Sequence, residues 1–158
     1  MVWLENIISI ILAVVLGVVI GLEREIRGKA AGLRTNALIC LGAAVFTVIS
    51  RQITDGLGAE VSPARIAAQI VTGVGFLGAG AIIRDRGGIH GLTTAATIWM
   101  VASIGMACGA GFFLLAVTST IIALIVLIGL TPLEKRVGSL RRKHELKAES
   151  PPQSENNG

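Results

Sequence analysis

The chain has 158 residues, of which 53% are apolar, 15% charged and 4% aromatic, with 20 glycines and a formal net charge of +4. A water-soluble domain carries about 25% charged residues to cover its surface, so this composition excludes an ordinary soluble fold. The few charges sit between long charge-free runs, and those runs define the class.

Residues 6–22, 35–50, 66–83 and 87–133 contain no Asp, Glu, Lys or Arg. A membrane-crossing helix needs about 20 mainly apolar residues, so the first three runs hold one span each and the fourth holds two. The break in the fourth falls at Gly105-Met106-Ala107-Cys108-Gly109-Ala110-Gly111, where clustered glycines supply a turn. The expected architecture is all-α: a polytopic bundle of five short transmembrane helices near residues 3–22, 33–51, 64–83, 91–107 and 111–131. The transmembrane domain covers 1–133 and a basic, then disordered, cytoplasmic tail covers 134–158.

The first helix begins without a basic n-region, and no small-x-small cleavage pattern follows its apolar stretch, so it is expected to remain in the protein. Ala13, Gly17 and Gly21 recur every four residues along it. Apolar burial drives little association in lipid, and small residues let helix backbones approach. The same packing role is expected for Gly73, Gly75, Gly78 and Gly80 on the third helix. Gly73-Val74-Gly75-Phe76-Leu77-Gly78 also fits the dinucleotide pattern G-x-G-x-x-G, but that pattern has meaning only between a strand and a helix of a βαβ unit. A glycine-dense helix can alternatively be locally unwound to form a transport site.

Of the 14 basic residues, all but Arg51 and Arg65 fall in connections that share one side if five spans alternate. The positive-inside rule puts that side in the cytoplasm, with the N-terminus outside. The tail cluster Lys135-Arg136 and Arg141-Arg142-Lys143 is then an orientation signal or an anionic-lipid contact. Nucleic-acid binding is not expected, because no aromatic residue is interleaved and no binding fold is present.

Polar residues converge at the cytoplasmic level from four segments: Glu23 and Arg24, Arg34 and Thr35, Arg84, and Thr93 with Thr94. An Arg beside a Glu in a half-wet interface pairs more strongly than on an open surface. Such a collar either fixes helix ends or forms a binding site. Thr97 can bond across to another helix or to its own backbone. Trp99 lies mid-span, and its indole N–H is expected to face the bundle. No Asp or Glu lies deep in a span, as cation and proton carriers usually require. Cys and His show no metal-ligand spacing, and Cys40 and Cys108 differ in depth, so neither a metal, a cofactor nor a disulfide is expected. Catalysis is not expected either, since Ser103 and His90 lie three turns apart on one helix.

At these residues the sequence resembles the bacterial MgtC/SapB membrane proteins. Gly21-Leu22-Glu23-Arg24, Ala31-Gly32-Leu33-Arg34-Thr35, Ala67-Ala68-Gln69-Ile70-Val71 followed by Gly73 to Gly80 and Arg84, and Gly91-Leu92-Thr93-Thr94-Ala95-Ala96-Thr97-Ile98-Trp99 occur in the order of that family's signature. The resemblance implies a multi-pass inner-membrane protein linked to low-magnesium adaptation and to control of membrane energetics or phosphate handling. It implies a regulator that acts through other membrane proteins, with lipid contacts and a possible homo-oligomer, and brings no catalytic residue. The alternative is a small Mg²⁺ or H⁺ transporter or channel-forming oligomer built on the third helix. Gln69, Gly75, Gly78 and Trp99 are further motif positions. Longer members carry a soluble, ligand-binding-like domain after the fifth helix. Here residues 134–158 stand in its place, so functions that depend on that domain, the virulence role included, are not carried over.

The orientation has a direct check. A green fluorescent protein fused after Gly158 should fluoresce, whereas alkaline phosphatase at the same point should be inactive. The reverse pattern would invert the topology.

Overall fold

The computed structural model describes residues 2–57, 63–85 and 88–132. It contains five helices, α1 (Val2–Ile26), α2 (Leu33–Leu57), α3 (Pro63–Gly80), α4 (Leu92–Gly109) and α5 (Phe113–Gly129), and a two-stranded hairpin, β1 (Ile83–Asp85) with β2 (Gly88–His90). The protein is an all-α membrane bundle. Three helices are long and apolar enough to cross a membrane, over Trp3–Ile26, Leu33–Thr54 and Leu92–Gly109; α5 is apolar but has only 17 residues. The chain divides into two compact units, residues 1–123 and 124–158, with the division inside α5. Of the second unit, residues 124–132 are described, and the first six of them, 124–129, complete α5.

The helix ends follow local chemistry. In α1, Glu5 lies in the first turn and Arg24 in the last, each matching the charge of the nearby dipole end. α3 opens on Pro63, whose missing N–H is no loss at a first helical position. Gly111, at φ +84°, follows α4, and its N–H donates to the Cys108 carbonyl at 3.0 Å.

Several boundaries differ from the sequence reading: α1 runs on to Ile26 and α2 to Leu57, past charged residues that lie at helix ends, and two further differences change the connections. α3 stops at Gly80, where the Ala81 and Ile82 N–H groups close short turns onto Gly78 and Ala79, and the chain continues as the hairpin. Its register pairs Ile83 with His90, Arg84 with Ile89 and Asp85 with Gly88. Absence of charge alone could not separate helix from the start of this ribbon. Gly105 and Gly109 belong to α4 itself, and the turn falls later, at Ala110 to Phe112.

The first unit is built on α1, α2 and α4. A Cβ at Gly17 would meet the Asn36 carbonyl and the Cys40 Cβ, each at 2.8 Å, and one at Gly21 would meet Leu33 Cα at 2.6 Å. α1 and α2 are therefore antiparallel with backbones in direct contact. Gly105 lies against the Cys40 carbonyl and Ala43, and Gly109 against the Ala44 carbonyl and Thr47, so α4 runs parallel to α2. α3 joins through Ile70 and Val74, which pack with Ala43, Ile98 and Ala102.

Among the described residues, the close contacts expected on α3 are largely not made. A Cβ at Gly73, Gly75 or Gly80 would meet nothing within 4 Å, and one at Gly78 would have an ordinary 3.6 Å contact with Ala95. Four-residue spacing reveals a small-residue stripe but not which face turns toward a neighbour. Accordingly, Gly105→Ala should lower stability by about 1–3 kcal/mol, the usual range for overpacking. Gly75→Ala should be neutral or slightly stabilising, because alanine is the better helix former. Thermal unfolding of both variants in the same detergent checks the contrast.

Candidate functional site

The antiparallel and parallel contacts bring four chain ends to one pole of the first unit: the end of α1, the start of α2, the hairpin after α3 and the start of α4. The connection from α1 to α2 is bound tightly to itself. Lys29 N–H donates to the Arg24 carbonyl at 2.9 Å. The Glu25 carboxylate accepts from the Leu33 N–H at 3.0 Å, across eight residues, and so satisfies an open donor at the start of α2. Asn36, fully buried, donates through Nδ2 to the carbonyls of Ala31 and Gly32. These bonds hold Ala31 in the left-handed region, at φ 57°.

Arg24 is 3% exposed, and its Nη2 donates to Thr94 Oγ1 at 2.7 Å, joining the end of α1 to the first turn of α4. Glu23, 9% exposed, is ion-paired one turn along with Arg27, whose Nε lies 2.6 Å from Glu23 Oε1 without hydrogen-bond alignment. Among the described residues, Glu23 Oε2 and Arg24 Nε are buried with no hydrogen-bond partner. Unsatisfied polar atoms of charged groups are costly when buried. Asn36 Oδ1 is a third unsatisfied buried atom at this pole, and Asn6 Nδ2 is one outside it, so most of the unsatisfied buried polar atoms among the described residues gather here.

The other motif residues share this pole without joining the cluster. Arg34, Thr35, Arg84 and Thr93 are exposed. Arg84 sits on β1 opposite Ile89, and the neighbouring His90 Nε2 lies 3.5 Å from Asp85 Oδ1 across the hairpin. The charged collar is thus divided into a buried half, formed by Glu23, Arg24 and Thr94, and an exposed half. Thr97 bonds its own helix, at the Thr93 carbonyl, 2.8 Å away. Trp99 does not face the bundle: it is 53% exposed. Helical spacing turns it away from the buried stripe of Thr94, Ile98, Val101 and Ala102. Gln69 is likewise exposed on α3, beside the crevice between α2 and α3.

For three residues the sequence reading gave the level but not the partner: Glu25 and Asn36 fall at the cytoplasmic helix ends and Arg51 flanks the second span. Glu25 caps a helix eight residues away, and no periodicity reports such a contact. Asn36 was legible only as a polar residue beside Thr35. Arg51, half-buried at the opposite pole, donates from Nη1 to the Gly109 carbonyl at 3.2 Å and so completes the end of α4. Cys40 and Cys108 are buried free thiols. Among the described residues, no three His, Cys, Asp or Glu side chains cluster as metal ligands.

The sequence matches the MgtC family over residues 10–136. It is 48% identical over 127 residues to the "Putative magnesium transporter YhiD" of Escherichia coli, covering 78% of this chain and 59% of that protein. It is 46% identical over 140 residues to "Protein MgtC" of Salmonella typhimurium, covering 89% of this chain and 58% of that one. An uncharacterized protein of Synechocystis is 44% identical over 133 residues, covering 84% and 55%. The chain thus spans less than two thirds of the length of these relatives. No solved structure matches it.

The Arg24 bond is directly testable. Thr94→Val keeps the shape of the side chain and removes the acceptor, so it should destabilise the protein by about 1.5–3 kcal/mol, the usual worth of a hydrogen bond to a charged group. Thr94→Ser should recover most of that loss. Equal thermal midpoints for Val and Ser would show that the hydroxyl contributes nothing.

Proposed function

The chain belongs to the MgtC family, and from that premise we propose that it is a multi-pass inner-membrane accessory or regulatory protein of magnesium-limited growth, acting through another membrane protein. The observation that carries this reading is the division of the collar. Arg24 and Thr94 are spent on bracing α1 against α4 and Glu23 is buried beside them, whereas Arg34, Thr35, Arg84 and Thr93 are exposed at the same pole. Exposed polar side chains on a braced platform suit contact with a partner. A substrate passage would need polar groups lining a space between helices. Among the described residues, the buried carboxylate is Glu23, at the end of α1 and not in mid-membrane.

The names of the relatives support the link to magnesium, and the proposal assigns no catalytic step. In the proposed orientation, all five helices cross the membrane and the collar is cytoplasmic, where the basic connections lie.

A second reading has one observation in its favour. Gly73 and Gly80, two turns apart on α3, present a stripe uncovered by the described residues, which suits close packing between copies in a cation-conducting oligomer. The two readings separate experimentally. Photo-crosslinkers at positions 34 and 93 should capture a specific membrane protein in cells, and Arg84→Ala should weaken low-magnesium growth without loss of membrane insertion. Recovery of the chain alone, together with Mg²⁺ or H⁺ flux into proteoliposomes of the pure protein, would instead establish the transporter.

A further inference from the structure

The pole opposite the collar contains a second arrangement that none of the motif residues explains except Trp99. A cavity of about 370 Å³ opens where α2, α3 and α4 meet the start of α5, with Arg51 and Ser50 at its head and Met106, Ala107, Phe112 and Leu115 among its walls. A smaller cavity of about 140 Å³ continues between α3 and α4, walled by Val71, Val74, Trp99 and Ala102. Ser103 and Met106 line both, so the two are consecutive stretches of one crevice.

Its length and chemistry are specific. From Ala110 to Trp99 the crevice follows α4 for about 16 Å, at 1.5 Å per residue. That is about half of the roughly 30 Å hydrocarbon core, the depth of a single leaflet. The hydroxyls along it are turned onto their own helices: Thr47 Oγ1 donates to the Ala43 carbonyl and Ser103 Oγ to the Met100 carbonyl, each at 2.7 Å. The walls below the head are therefore effectively apolar.

The head is cationic. A guanidinium carries five N–H donors, and the described structure engages Arg51 through one contact, the Gly109 carbonyl. No carboxylate lines the crevice among the described residues. The larger crevice between α2 and α3, about 460 Å³, has no charged residue in its lining among the described residues and so offers no comparable anchor.

From this geometry we infer that the α3–α4 crevice is a binding site for one anionic phospholipid, with the phosphate on Arg51 and one acyl chain lying along α4 as far as Trp99. Guanidinium forks suit phosphate oxygens, and the apolar length below fits a tail from the same leaflet. The lipid would cover the α4 face that the bundle leaves open and fill the space between α3 and α4. The inference does not depend on the role proposed for the collar.

Trp99 supplies the readout, because the sequence has only one other tryptophan, Trp3. The full chain carrying Trp3→Phe is reconstituted in phosphatidylcholine vesicles with a minor fraction of acyl-brominated phosphatidylglycerol, and in the converse mixture with the bromine on phosphatidylcholine. Trp99 quenching should report about a fivefold preference for the anionic lipid, the scale of one basic residue at an anionic surface. Arg51→Gln should bring the two mixtures to parity, Arg51→Lys should retain a preference, and Ala107→Phe, which fills the upper cavity, should abolish it. Equal quenching in the unsubstituted crevice, or a preference that survives Arg51→Gln, would overturn the inference. Loss of the preference on adding inorganic phosphate would also overturn it, since the site would then belong to a soluble anion.

Discussion

Backbone held against backbone is the constraint on which this molecule depends. Between helices in lipid there is no water to expel, so association rests on how closely the chains approach. α2 is met on two sides by helices that present no side chain at the contact: Gly17 and Gly21 from α1, Gly105 and Gly109 from α4. Several of the facing positions on α2 are themselves small, at Ala37, Cys40, Ala43 and Ala44, beside Leu33, Asn36 and Thr47. Such a three-helix unit tolerates little change in register. A shift of one residue would turn the glycines away and force branched side chains into a space that has room for none.

That fixed register gives the polar pole its geometry. Because α1 and α2 are locked antiparallel and α4 parallel to α2, Arg24 arrives at Thr94, although 70 positions separate them in the chain. A buried guanidinium and a buried carboxylate would be costly at mid-membrane depth. At the end of the bundle, held by Arg27, Thr94 and a hydrogen-bonded connection, they are sustained, although Glu23 Oε2 and Arg24 Nε lack partners among the described residues. The same register leaves α3 held chiefly through Ile70 and Val74. Its uncovered glycines and the crevices beside it are consequences of that one-sided attachment.

The helical class, the number of helices and their approximate places were legible because charge cannot enter the hydrocarbon core, so the charge-free runs mark the segments. The glycine stripes were legible as stripes. What they pack against was not: Gly17 and Gly75 look alike in sequence, yet a Cβ at the first would strike α2 and a Cβ at the second would meet none of the described residues. The convergence of Glu23, Arg24, Arg34, Arg84 and Thr94 on one pole followed from alternating helix directions. The separation into a buried half and an exposed half did not, since it depends on how each helix is rotated about its own axis. Trp99 was misread for that same reason.

By itself, the sequence determined that this is a helical membrane protein of the MgtC family whose sparse charge gathers at helix ends, because hydropathy and charge act locally along the chain. Only the tertiary structure decided that Arg24 is bound to Thr94, that Glu25 caps α2, that the hairpin replaces the last turn of α3 and that Arg51 heads a crevice between α3 and α4. Each of these depends on the rotation and register of neighbouring helices. Those are settled by contacts between residues far apart in the chain, and no local pattern encodes them.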